Sequence, residues 1–193
     1  MLSRQAKTLS AQQIKGVLNY LAQTRRATRN QAIFFLSLKA GLRAKEIALL
    51  TWAMVTDASG EIDDCIRLTD NASKGKSGGV IPMAADLKIA LRALHIASKP
   101  SHLDDRVIQT SRSSQTSPQM IVNLFRHWYA DLGFIGCSSH SGRRTFITRM
   151  ARNIGRYGGS MRDVQALARH QSLAMTQRYV EVDSEAMRQV VNC

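Results

Sequence analysis

His140-Ser141-Gly142-Arg143-Arg144 opens a run that closes on Arg169-His170 and, nine positions after that histidine, Tyr179. Between these ends the apolar positions recur at helical spacing, which predicts short helices at about 141–154, 161–169 and 173–180 and a last one at about 184–191. The run therefore places Arg, His and Tyr, all able to handle a phosphate or a proton, on neighbouring short helices.

Working back toward the N-terminus, Ser10 and Gln13 have the form of a capping box ahead of Ile14, Val17, Leu18 and Leu21, predicting a helix at about 10–22. Thr28 with Gln31 repeats the box and opens an apolar helix through Ile33, Phe34, Leu36 and Leu38 that Gly41 can end. Arg43 to Leu50 restarts as a short helix. Met54-Val55, Ile62 to Leu68 and Val80-Ile81 favour β structure, and the polar, Gly-rich stretch Thr69 to Gly79 between the last two predicts an exposed hairpin tip. Helix returns at about 84–98, with Leu87, Ala90, Leu91 and Leu94 inward and Pro100 beyond its end. Ser117-Pro118 starts another, burying Ile121, Leu124, Phe125, Trp128 and Leu132 before Gly133. The expected fold is α+β and mainly helical, with one small antiparallel sheet.

Composition narrows the function classes. The 193 residues hold 27 Lys plus Arg against 14 Asp plus Glu, a net charge of +13, which favours a polyanionic partner. Hydrophobic residues make up 44%, too many for a disordered basic tail, and the cations are scattered through core-forming segments instead of lining one membrane-surface helix. No apolar run is long enough to span a bilayer and no secretory signal opens the chain, so no membrane role and a cytoplasmic location are expected. Cys65, Cys137 and Cys193 are widely spaced, and neither a disulfide framework nor a metal site is expected from them. Gly75-Lys76-Ser77 lacks the glycine that a nucleotide-binding loop would need at position 70, which is Asp70, so a nucleotide cofactor is not expected either.

Singly, each polar motif has an ordinary explanation as solvated charge or turn chemistry. Together, Arg43, Lys74, His140, Arg143, His170 and Tyr179 form a set suited to phosphodiester chemistry. Guanidinium groups stay charged and present a planar fork to phosphate oxygens. Histidines can donate to the remaining oxygens or move protons near neutral pH. A tyrosine hydroxyl becomes a competent nucleophile where cations stabilise the developing phenolate.

The order of these residues resembles the tyrosine recombinase, or phage integrase, family from about residue 9 to 182. The motifs that carry the resemblance are Arg43-x-x-Glu46, Lys74 eight residues before Pro82, His140-x-x-Arg143, and His170 followed by Tyr179. Gly142 stands where that family usually has Leu, and Ala168-Arg169 replaces the usual Leu-Gly before His170.

The resemblance implies a site-specific recombinase that needs no metal or ATP and passes through a 3′-phosphotyrosyl intermediate. Tyr179 would be the nucleophile, Lys74 the acid for the departing 5′ oxygen, and His140 the proton acceptor. Arg43, Arg143 and His170 would hold the phosphate, with Glu46 buttressing Arg43. Lys76 competes with Lys74 as the acid and otherwise joins Arg25, Arg26 and Arg144 as contacts to the DNA backbone. The expected partner is double-stranded DNA bearing a recombination site, engaged as a homotetramer, with a monomer possible off DNA and a nucleoid-associated location in a bacterium. The whole chain, 1–193, is expected to be a single catalytic domain with no core-binding domain ahead of it. The apolar tail residues Val182, Met187, Val190 and Val191 would dock on a neighbouring protomer or pack in cis. A non-catalytic DNA-binding protein derived from an integrase is the alternative.

Overall fold

Ser10 starts the first helix, α1 (Ala11–Ala22), through the reciprocal box that the sequence predicts. Its Oγ accepts from Gln13 N–H at 3.2 Å, and Gln13 Oε1 accepts from Ser10 N–H at 3.0 Å. The computed structural model describes residues 5–73, 78–110 and 113–180. Its mainly helical architecture with one small sheet agrees with the expected fold class.

The next corner departs from expectation. Helix α2 (Ala27–Lys39) begins one residue before Thr28, with Arg26 in the cap position and no side-chain cap, so the Thr28–Gln31 box does not form. Asn30 ties the corner instead. Its Nδ2 donates to Thr24 Oγ1 at 2.9 Å, and that hydroxyl donates to the Leu21 carbonyl at 2.7 Å. A buried Asn with a satisfied amide outcompetes a cap that would have shortened the helix.

Gly41 ends α2 in the left-handed region, at φ +62°, and the chain re-enters helix as α3 (Ala44–Leu49). A Cβ at Gly41 would lie 2.6 Å from the Phe146 ring, so both its conformation and its surroundings demand glycine.

Met54 and Val55 do not form a strand. Trp52–Met54 make one 3₁₀ turn, with the Val55 and Thr56 amides donating to the Trp52 carbonyl at 2.9 and 3.0 Å. Both side chains are buried, so their apolar character reports core position and not β structure. The sheet has two strands, β1 (Cys65–Leu68) and β2 (Gly79–Pro82), antiparallel in the register Cys65↔Pro82 to Leu68↔Gly79. Ile66, Leu68 and Ile81 face the core while Arg67 and Val80 face out.

Helix α4 (Ala85–Ser98) packs on α2, and α5 (Pro118–Asp131) packs on α3. Ser117 caps α5 by accepting from Met120 N–H at 3.2 Å, with Pro118 in the first turn as predicted. Leu21, Phe34, Leu36, Leu91, Phe125 and Trp128 belong to one buried cluster. Each large apolar side chain so buried contributes about 1.5–3 kcal/mol.

Backbone contacts divide the chain into two compact units, Met1–Phe146 and Ile147–Cys193, with the boundary inside α6 (Ser141–Asn153). In the second unit a 3₁₀ turn (Ile154–Tyr157) leads to α7 (Met161–Ala168), which packs on α8 (Leu173–Gln177). Asp163 Oδ2 closes the start of α7 by accepting from Ser160 N–H at 2.7 Å. Helix α8 stops before the predicted residue 180, because the Tyr179 and Val180 amides fold back onto the Thr176 and Gln177 carbonyls at 3.0 Å each. The predicted helix at about 184–191, and with it Val182, Met187, Val190 and Val191, lies outside the described residues. No helix among the described residues is long and apolar enough to cross a membrane.

Gly142, the departure from the family's usual Leu, has a steric cause inside the first unit. A Cβ there would fall 2.4 Å from Ser37 Oγ and 3.0 Å from Ser37 Cβ on α2. Gly142→Ala is expected to cost about 1–3 kcal/mol in chemical denaturation, and adding Ser37→Ala to recover part of that loss. Equal stability of Gly142→Ala and wild type would show that the two helices do not meet this closely.

Candidate active site

The first unit gathers Arg43, Glu46, His140 and Arg143. The turn at Gly41 exposes its carbonyl, and Arg143 Nη1 donates to it. Arg143 is almost fully buried, at 1% exposure, although it stands on a helix whose first turn the sequence would allow to face solvent. Arg43 precedes α3. Glu46, one turn on, accepts from the Arg43 N–H through Oε2 at 2.8 Å and pairs through Oε1 with Arg43 Nη1 at 2.7 Å.

Glu46 is fully buried. This is no solvated ion pair of small value. A buried carboxylate is tolerated only when paired and hydrogen-bonded, and here both oxygens hold Arg43 in place. The arrangement is half of a capping box, because a guanidinium has no acceptor to return to the α3 backbone.

His140 sits at the entrance to α6. Its N–H donates to Ser138 Oγ at 3.2 Å, and its carbonyl accepts from Arg144 N–H at 2.9 Å. Desolvation by the surrounding protein, followed by the charges of Arg143, Arg43 and Arg144, pushes its pKa down to about 4. At neutral pH the imidazole is uncharged and able to accept a proton.

Lys74 and Lys76 lie outside the described residues, but the base of their loop is defined. Lys45 Nζ on α3 donates to the Ser73 carbonyl at 3.3 Å, Ser73 Oγ donates to the Asp70 carbonyl at 2.9 Å, and Gly78 N–H donates to Asp70 Oδ1 at 3.0 Å. The hairpin stem is thus fastened beside the helix that follows Arg43.

The second unit brings together His170, Thr176 and Tyr179. His170 is buried, and its Nδ1 lies 2.9 Å from Thr176 Oγ1. Its ring stacks on Tyr179 with centroids 5.4 Å apart and 27° between planes. Gln165 fixes the backbone of His170 on both sides, its carbonyl accepting from His170 N–H and its Nε2 donating to the His170 carbonyl, each at 3.1 Å. Tyr179 is half-buried, and its own carbonyl accepts from Thr148 Oγ1 at 3.3 Å. Arg169, in the place of the family's usual Gly, takes a left-handed φ of +53° just before His170.

The other tyrosines fit the task less well. Tyr20 donates to Asp131, and that bond raises its pKa; burial raises that of Tyr129 far more. Both phenols are harder to ionise than an ordinary tyrosine. Tyr157 is exposed on the 3₁₀ turn.

Among the backbone-contact candidates, Arg25 is exposed and Arg26 half-exposed at the start of α2. Arg26 and Arg29 line a cleft of about 310 Å³ with Thr28, Gln109 and Thr110. Burial and then the charge of Arg26 lower the Arg29 pKa, so two cations are crowded there. Arg144 donates to Gln5. No cluster of His, Cys, Asp or Glu suited to a metal ion occurs among the described residues.

Thr176 and Ser138 were not singled out by sequence, and Gly41 was singled out only as a helix end. Thr176 carried one usable signal: a small polar residue at an inward position of a short helix, six residues after His170 and three before Tyr179. The carbonyl role of Gly41 has no side-chain signature at all.

Residues 7–186 match the model of the phage integrase family, and the chain belongs to that family. It is 29% identical over 193 residues to the tyrosine recombinase XerC of Mesorhizobium japonicum, covering 95% of this chain and 58% of that protein. It is 26% identical over 197 residues to the tyrosine recombinase XerD of Vibrio cholerae, covering 98% of this chain and 62% of that protein. The chain thus spans about three fifths of the length of these curated relatives. Its fold is that of the XerA recombinase crystal structure, with a TM-score of 0.74 and 23% identity over 96% of this chain and 64% of the other. The Tn1549 transposon integrase, solved with a circular intermediate DNA, aligns with a TM-score of 0.76 and 17% identity over 97% of this chain and 66% of the other.

The shifted histidine gives a direct check. NMR titration of the free protein should place the His140 midpoint near 4, below the ordinary 6.5, and Arg144→Gln should move it upward. Because the folded value lies below the unfolded one, the unfolded chain protonates first, and this site's stability contribution is intact above 6.5 and lost as pH falls toward 4. A midpoint at or above 6.5 would show that the three guanidinium groups do not surround the ring.

Proposed function

We propose that the protein is a site-specific DNA recombinase whose nucleophile is Tyr179. The observation that carries this is the guanidinium pair Arg43 and Arg143 held beside an uncharged His140, the arrangement that a phosphate anion and a departing phenol proton require. Family membership and the recombinase relatives support the same function.

In this scheme Tyr179 Oη attacks the scissile phosphorus while its proton passes to His140. The bond from phosphorus to the 5′ oxygen breaks, and Lys74 supplies the proton that completes a free 5′-hydroxyl. Arg43 and Arg143 stabilise the negative non-bridging oxygens of the pentavalent state, and His170 donates to one of them. Glu46 acts through Arg43, keeping its fork aimed. The phosphotyrosyl bond conserves the phosphodiester energy, so attack by a different 5′-hydroxyl rejoins strands without ATP, and the cations do the work that a metal would otherwise supply. Double-stranded DNA is the partner, joined through Arg25, Arg26, Lys76 and Arg144 on its backbone. The chain serves as the catalytic domain of an assembly of four protomers on DNA, in the bacterial cytoplasm.

Incubation with nicked DNA bearing candidate sites, followed by denaturing electrophoresis, should show a protein–DNA adduct and rejoined strands from two duplexes. Tyr179→Phe should form neither. Adduct formation by Tyr179→Phe would refute the nucleophile, and tight DNA binding without any wild-type adduct would favour the non-catalytic alternative. For the backbone contacts, Arg26→Ala should weaken binding to all DNA sequences alike and lower the salt slope by about 1. An unchanged slope would remove Arg26 from the interface.

A further inference from the structure

Thr176 is fully buried, and among the described residues its hydroxyl makes one hydrogen bond, to His170 Nδ1 at 2.9 Å. A hydroxyl carries one proton to donate, and a buried donor without an acceptor is costly. If Nδ1 carried the ring proton, the Thr176 oxygen would accept it and the hydroxyl's own proton would have no acceptor among the described residues. If Nδ1 is bare, the hydroxyl donates to it and both groups are satisfied. The imidazole then carries its proton on Nε2. Gln165 on the backbone and the Tyr179 ring on one face leave the imidazole little freedom to turn away from this contact.

We propose that Thr176 is a positioning residue that donates to His170 Nδ1 and fixes the neutral Nε2–H tautomer, so that His170 can donate to a phosphate oxygen without first taking up a proton. This rests on the strand-transfer function proposed above and adds a residue to it. The logic is that of an orienting group behind a catalytic imidazole, with a hydroxyl in place of the more usual carboxylate. The difference has a chemical consequence. A carboxylate would accept from Nδ1–H and leave Nε2 as a base, whereas a hydroxyl that donates to Nδ1 makes Nε2 a donor. His140 and His170 are thereby given opposite tasks, one accepting a proton and the other offering a hydrogen bond.

Two measurements test this independently. Long-range ¹⁵N–¹H NMR of the free protein at neutral pH, with His170 assigned by the loss of its signals in His170→Asn, should show a protonated Nε2 and a bare Nδ1. Single-turnover cleavage by Thr176→Val should fall by about tenfold to a hundredfold with DNA affinity within about twofold of wild type, and Thr176→Ser should recover most of the rate. Thermal melting of both variants identifies any loss that comes from unfolding. A proton on Nδ1 would overturn the proposal. So would wild-type cleavage by Thr176→Val, or a loss that Thr176→Ser does not recover while remaining folded. A wild-type protein with the Nε2–H tautomer but no cleavage of any DNA would uphold the tautomer and refute strand transfer.

Discussion

Arg143 is a permanently charged side chain held at 1% exposure, and it donates a hydrogen bond to the Gly41 carbonyl. That carbonyl is presented only because Gly41 adopts φ +62° at the end of α2. The same turn sets Arg43 at the start of α3, where Glu46 captures it. One backbone conformation therefore fixes two guanidinium groups from distant parts of the sequence. Phe146 fills the space that a Cβ at position 41 would occupy, so packing and site geometry depend on the same missing methyl.

Charge is concentrated here against the ordinary preference of a folded chain. Arg43 has a buried carboxylate as its counterion, while desolvation and then the charges of Arg143, Arg43 and Arg144 hold His140 neutral. A site that holds excess positive charge in protein is strained without an anion and relieved by one, which makes phosphate binding and stability two faces of one electrostatic arrangement. In the second unit Arg169 is buried next to His170. His170, Thr176 and Tyr179 are joined by a hydrogen bond and ring stacking.

Much of this was legible in the residues. The α1 and α5 starts follow from Ser10 with Gln13 and from Ser117-Pro118, because local capping chemistry decides helix entry where no tertiary contact competes. The Thr28 box failed where another local contact formed, the Asn30 amide on Thr24. Met54 and Val55 looked like strand because their burial imitates β preference, while their amides close a turn. In the site, residue types and order were enough to nominate Arg43, Glu46, His140, Arg143, His170 and Tyr179. The Gly41 carbonyl was invisible because every residue has one, and Thr176 because a threonine in a short helix has many ordinary uses. Gly142 was seen as a departure from pattern, and only the proximity of Ser37 gave it a cause.

The central claim is that Tyr179 takes the phosphate, and the linkage itself can be read. Trypsin cuts after Arg178, so digestion of protein trapped on DNA and trimmed with nuclease yields a peptide that begins at Tyr179. The account predicts a mass spectrum in which this peptide carries a nucleotide through its 3′-phosphate on the tyrosine. A nucleotide found instead on a peptide containing Tyr20, Tyr129 or Tyr157, or joined through a 5′-phosphate, would contradict it.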